Sequence, residues 1–181
     1  MAAMPGAETF RSSADAYDRF VGRYGPSLAS ALIGFAGVEP GTRALDVGCG
    51  PGALSAALVD RLGAASVSAA DPSAPFVDAC QARLPDIDVV EASAEALPFA
   101  DESFDAVVST FGVMFTPNQE KSASEMSRVT RKGGRIGMAN WTPESYIGQL
   151  FKIIGKHLPP PAGGKRDFVR RALRVRSGPL R

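Results

Sequence analysis

The chain has 181 residues, of which 45% are hydrophobic and 22% charged; this suits one globular domain with trimmings, not a disordered or collagen-like chain. The formal net charge of +1 hides an asymmetry: residues 165–181 hold seven basic residues and one acid, and residues 1–164 hold 13 basic and 18 acidic ones. So mildly acidic a body lacks the basic face of a duplex-binding domain, and no nucleic-acid partner is expected.

In chain order, residues 14–35 show helical spacing. Tyr17, Phe20, Val21 and Tyr24 fall at i, i+3, i+4 and i+7, and Leu28, Leu32 and Phe35 continue the apolar stripe. Gly25-Pro26 interrupts it, which predicts two short helices with a bend there. Residues 43–47 read as a short buried strand, followed by the glycine loop 48–52 and a helix with Leu54, Leu58 and Leu62 on one face and Gly63 as its stop. The same pattern repeats. A strand is predicted over 65–70 and a helix with Phe76, Cys80 and Leu84 on its face, ending before Pro85. Further strands are expected at 87–91 and 104–109, with a loop over 92–103 between them. A helix over about 118–131 carries Ala123, Met126 and Val129; then come a sharp turn at 132–134, a fifth strand at 135–139 and a helix over 144–157. Alternation of strand and helix implies a doubly wound, mainly parallel α/β sheet, with ligands outside the carboxyl ends of the strands. Residues 158–181, a Pro/Gly break and a basic tail, have no place in that rhythm and are expected to be loosely attached.

No apolar run is long enough for a membrane span, and the first ten residues lack the charged and apolar regions of a secretory leader. A cytoplasmic protein without a membrane partner is expected. Cys49, Cys80 and His157 are too few for a zinc site, so no metal is expected, and the two cysteines read as reduced thiols.

The strongest chemical signal is Leu45-Asp-Val-Gly-Cys-Gly-Pro-Gly52. Its glycines allow a tight turn and close approach of the backbone to a ligand, and the helix that follows offers unpaired N–H groups. Gly48-Cys-Gly-Pro-Gly-Ala53 also fits the dinucleotide fingerprint G-x-G-x-x-G/A, and Asp71, about 20 residues on, stands where a ribose-binding acid belongs in either reading. Asp46 weighs against a pyrophosphate, which it would repel; it suits a ligand carrying an ammonium or sulfonium charge.

Five segments resemble one family in order and spacing. Ala44-Leu-Asp-Val-Gly-Cys-Gly-Pro-Gly52 resembles the first motif of class I S-adenosylmethionine-dependent methyltransferases, and Ala70-Asp-Pro-Ser73 the second-strand acid motif. Ser93-Ala-Glu-Ala-Leu-Pro-Phe99 with Asp101-Glu-Ser-Phe-Asp105, and Glu125-Met-Ser-Arg-Val-Thr-Arg-Lys-Gly-Gly134, resemble the type 11 branch related to ubiquinone and menaquinone biosynthesis. Tyr17-Asp-Arg-Phe20 resembles the helix preceding that domain. The resemblance covers residues 14 to 157 and implies a Rossmann-like fold, divided here as an N-terminal helical segment 1–36, a cofactor-binding domain 37–157 and the tail 158–181. The cofactor it implies is S-adenosyl-L-methionine, the partner a small-molecule methyl acceptor.

Carried over by position, the resemblance places Asp46 and Gly48 beside the methionine part of the cofactor. Gly48, Cys49, Gly50 and Gly52 form the thin loop along which it passes. Asp71 would accept hydrogen bonds from the ribose, with Pro72 and Ser73 bordering the adenine and Ser93 and Ala94 at its edge. Ser109 and Thr110 would lie near the reactive end, and Tyr17 and Arg23 would close the site from the N-terminal helix. Plainer roles stand beside these: Asp46 as a turn former, Asp71 as a helix cap, Tyr17 as core, Arg23 as a solvated charge. No catalytic base is assigned. Three departures stand out: Ser93 replaces the usual acid, Lys132 replaces the proline of the turn, and nothing after Trp141 reads as the family's closing antiparallel hairpin. A missing hairpin would leave an exposed sheet edge, through which oligomers could form, and an impaired enzyme. The alternatives to methyl transfer are a nicotinamide-dependent oxidoreductase and a non-catalytic remnant that only binds cofactor.

Overall fold

A computed structural model describes residues 24–142 and 144–157. Tyr17, Arg23 and the tail over 158–181 lie outside the described residues. The chain forms two compact units, the first ending at Ala139 and the second starting at Asn140.

The first unit is a five-stranded, all-parallel sheet. Its elements are α1 (Gly25–Ala36), β1 (Ala44–Val47), α2 (Ala53–Leu62), β2 (Val67–Asp71), α3 (Ala74–Arg83), β3 (Asp88–Glu91), β4 (Phe104–Thr110), α4 (Gln119–Val129) and β5 (Thr130–Ala139), with short 3-10 turns at Ala64–Ser66 and Val113–Phe115. The strand order is β3-β2-β1-β4-β5. Parallel strands need crossovers, and the helices supply them while covering both faces. The central strands β1 and β2 are accordingly buried along their whole length, so they read in the sequence as short continuous runs. Alternate residues serve the two faces. Ala44, Val67, Ala69, Ala106 and Val108 pack with α1, α2 and Cys80 of α3. Leu45, Val47, Ala70 and Val107 pack with Met126 and Val129 of α4 and with Ala94 and Leu97 of the β3–β4 loop.

The expected α/β fold is present, with local corrections. A helix starts at Gly25, as the reading of 14–35 expects for its second half, and Pro26 sits in its first turn, where a missing N–H costs nothing; the helix expected before it lies outside the described residues. The buried face of α1 is Ala29, Leu32, Ile33 and Ala36, whereas Phe35 is 85% exposed. In α4 the inward residue is Ser122, not Ala123, which is exposed. β2 starts at Val67 because Ala64–Ser66 forms a 3-10 turn. The turn at 132–134 is an excursion inside β5: Phe104 pairs Thr130 and Ala106 pairs Arg135, so three extra residues loop out of the ladder before regular pairing runs to Thr110 and Ala139. Arg135 then donates from Nη1 to the carbonyls of Ala36 and Gly37, both at 3.2 Å, and so ties the end of α1 to β5.

In the second unit, α5 (Tyr146–His157) is capped by Ser145, whose Oγ accepts from Gly148 N at 3.1 Å. Among the described residues the sheet holds only parallel strands, and no helix is long and apolar enough to cross a membrane.

Candidate functional site

The loops at the carboxyl ends of β1, β2 and β4 converge, as a doubly wound sheet dictates at the point where strand order reverses between β1 and β4. Gly48 and Cys49 donate to Ala70 O at 2.7 and 3.1 Å, so the glycine loop starts as an extension of the β1–β2 pairing. It then turns back on itself through Gly52 N to Cys49 O at 3.0 Å and enters α2. Gly48, Gly50 and Gly52 have φ of +74, +54 and +90°, a left-handed series that side chains resist. A Cβ on Gly52 would meet Cys80 Sγ at 2.8 Å, and one on Gly48 would meet the Gly112 backbone at 2.7 Å. A Cβ on Gly50 would meet nothing within 4 Å. Two glycines thus allow packing within the protein, and the middle one fronts open space.

Asp46 is 1% exposed and lies on the face covered by α2, where Ser55 Oγ donates to its Oδ2 at 2.7 Å. Its Oδ1 is buried without a partner. Burial pushes its pKa up to about 7; the Ser55 hydrogen bond opposes this and the nearby Asp71 adds to it. Asp71 ends β2. Its Oδ2 accepts from Gly50 N and its Oδ1 from Ser73 N, both at 2.9 Å, which fixes the glycine loop and the start of α3 to one carboxylate. Burial raises its pKa too, against those two hydrogen bonds. Neither acid is paired with Lys or Arg among the described residues. Among the described residues, the two carboxylates at adjacent strand ends thus make a site short of positive charge.

The other expected residues are placed as follows. Pro72 is half-buried and Ser73 buried at the start of α3. Ser93 and Ala94 are buried at the end of β3, with Ser93 Oγ accepting from Glu95 N at 3.2 Å. The Ser109 hydroxyl is fully engaged in structure, donating to Val47 O at 2.6 Å and accepting from Val113 N at 3.3 Å. Thr110 Oγ1 is buried without a partner. Cys49 and Cys80 are free, buried thiols, and the hydrogen bond between them, with burial, pushes the Cys49 pKa up. A thiol kept protonated in this way lines the loop without being a nucleophile.

Sequence reasoning passed over three contributors. Ser55 was legible as a polar residue in the first turn of α2, next to Leu54 of its apolar stripe. Phe111, buried at φ +64°, holds a left-handed conformation that costs a bulky residue about 1–3 kcal/mol. Its N–H donates to Ala139 O at 2.8 Å, and Gly112 follows against Gly48. Only the meeting of the β1 and β4 loops reveals this pair.

A family profile for a methyltransferase domain matches residues 45–138. An uncharacterised protein of Mycobacterium tuberculosis is 39% identical over 154 residues, which cover 78% of this chain and 56% of that protein. A demethylmenaquinone methyltransferase of Renibacterium salmoninarum is 37% identical over 115 residues, covering 64% of this chain and 48% of that protein. The chain spans about half the length of these curated relatives. The crystal structure of a SAM-dependent methyltransferase from Aquifex aeolicus matches 90% of this chain and 88% of its own with a TM-score of 0.66; at 18% identity this is a likeness of fold. The matched segment runs from the strand carrying Asp46 to the last strand of the sheet and includes the glycine loop, Asp71 and the β4 end, and the chain belongs to the class I S-adenosylmethionine-dependent methyltransferases.

Proposed function

We propose that the protein binds S-adenosyl-L-methionine in the cleft between the β1, β2 and β4 loops and transfers its methyl group to a small-molecule acceptor. The observation that carries this reading is the pair of buried acids Asp46 and Asp71, neither paired with a cation among the described residues, on either side of a glycine loop whose middle residue faces open space. A ligand whose ammonium and sulfonium outweigh its own carboxylate is attracted to the two acids, whereas a pyrophosphate adds to their repulsion. Gly50 N–H is also committed to Asp71 and so is not free for a phosphate, which weighs against the nicotinamide alternative.

The residues fit the cofactor in kind. S-adenosylmethionine supplies an electrophilic methyl on a sulfonium centre. Asp46, with its unpartnered Oδ1, would take the ammonium side and Asp71 the ribose hydroxyls. The loop at Gly48–Gly52 would carry the chain between them, and Ser93 and Ala94 the adenine edge. The protein's own work is to orient both reactants and exclude water, which lowers the barrier to a displacement at carbon. Thr110 Oγ1, buried and unpartnered at the end of β4, is a polar group that would be available toward the proposed reactive end. The similarity to a demethylmenaquinone methyltransferase supports a small acceptor over a macromolecule.

Calorimetric titration with S-adenosylmethionine, S-adenosylhomocysteine and NADH tests the reading. Binding of the first two and not of NADH is expected. Binding of NADH alone, or of none, would overturn it.

A further inference from the structure

The segment Glu125-Met-Ser-Arg128 belongs to no part of the site described above, yet Arg128 is the most heavily engaged side chain in the described residues. All five guanidinium N–H groups are used. Nε and Nη2 grip Glu125 in a two-point pair at 2.7 and 2.8 Å. Nη2 also donates to Leu97 O at 2.9 Å, and Nη1 donates to Phe99 O at 2.8 Å and to Asp101 Oδ1 at 2.7 Å. Three of the five acceptors thus lie in the β3–β4 loop, which has no regular structure to hold it. Further bonds run between the same two elements. Leu97 N donates to Glu125 Oε2 at 2.9 Å, Glu102 N to Arg128 O at 2.9 Å, and Asn118 N to Glu95 Oε1 at 2.8 Å.

That loop starts with Ser93 and Ala94. Ala92 N is bonded to Asp71 O at 3.0 Å and Ala96 N to Ser93 O at 2.9 Å, so the run from β2 through Ser93 to the Arg128 grip is continuous. We propose that Arg128 is a positioning residue: by clamping Leu97, Phe99 and Asp101 it holds Ser93 and Ala94 in the place that binds the adenine side of the cofactor. This rests on the cofactor reading given above. Lysine can replace it only in part, because a single ammonium cannot hold a bidentate carboxylate and two carbonyls in a fixed plane.

The test uses the full chain and S-adenosylhomocysteine. Binding is measured by calorimetry for the parent, Arg128→Gln, Arg128→Lys, Ser93→Ala and the double variant Ser93→Ala/Arg128→Gln. Leu62→Ala, at the far end of α2, sets the effect of lost stability alone. Arg128→Gln should weaken binding at least tenfold and speed hydrogen exchange of residues 95–102 while leaving that of β1 and β2 unchanged. Arg128→Lys should fall between it and the parent, which keeps the test open should the glutamine variant not fold. The Ser93→Ala loss should shrink in the Arg128→Gln background, since the two act through one loop. A parent that binds no S-adenosylhomocysteine overturns the cofactor reading and this inference with it. A parent that binds, with both Arg128 variants within twofold of it or matching Leu62→Ala, overturns this inference alone.

Discussion

Gly48 and Gly112 meet backbone to backbone: a Cβ built on either would stand 2.7 Å from the Cα of the other. The two residues are 64 positions apart, and their contact joins the loop after β1 to the loop after β4. A methyl group on either must push the loops apart, and crowding of this kind costs about 1–3 kcal/mol. Gly48 also has φ +74°, while Gly112 at φ −58° is in ordinary helical space. Gly48→Ala should therefore destabilise more than Gly112→Ala, by about 1 kcal/mol or more of backbone strain. Urea unfolding of both variants checks the order; equal losses would show that the contact alone decides.

Gly50 presents the opposite case. With open space where its Cβ would go and φ +54°, Gly50→Val should fold with a loss of about 1–2 kcal/mol from strain. The side chain would fill the space proposed for the ligand, so binding of S-adenosylhomocysteine should be lost. A folded variant that binds like the parent would place the ligand elsewhere.

Asp46 makes stability and binding depend on pH in opposite directions. Its pKa rises from 3.8 to about 7 on folding, so the folded state holds the proton more tightly than the unfolded one. Stability should fall as pH rises between those values and level off above about 7. Asp71, also raised, contributes with the same sign. A cationic ligand prefers the ionised carboxylate, so affinity for S-adenosylmethionine should increase with pH up to about 7, by at most about tenfold per unit. Asp46→Asn should flatten both trends and weaken binding at pH 8. Melting temperatures and calorimetry across pH 5 to 8 check this; an unaltered slope in the variant would assign it to another group.

Asp71 serves two backbone N–H groups, and Asp71→Ala leaves both without their acceptor. A stability loss of about 2–3 kcal/mol is expected, the scale for hydrogen bonds to a charged group. Affinity for S-adenosylhomocysteine should fall by a further 1.5–3 kcal/mol, about ten- to a hundredfold. If stability falls and affinity does not, Asp71 is a loop staple only.

Much of this architecture was legible in the chain itself. Local rules suffice for short apolar strands followed by glycine loops and amphipathic helices, because burial on both faces demands continuous apolar runs and loop turns demand glycine. Hence β1, β2, β4, the three-glycine loop and the two acids at 46 and 71 could be read one residue at a time. Errors arose where a neighbour distant in sequence decides. Phe35 points to solvent and Ala36 inward, because Gly137 of β5 presents no side chain and lets Ala36 approach. The 132–134 turn became an excursion within β5 because β4 supplies ladder partners on both sides of it. The free oxygen of Asp46, the occupied hydroxyl of Ser109, the Gly48–Gly112 contact and the hold of Arg128 on the β3–β4 loop all depend on pairs of groups 9 to 64 residues apart. A sequence names the hydrogen-bonding capacity of each such group, but only the folded chain, which brings its partner within 3 Å, decides whether that capacity is spent on the protein or left for a ligand.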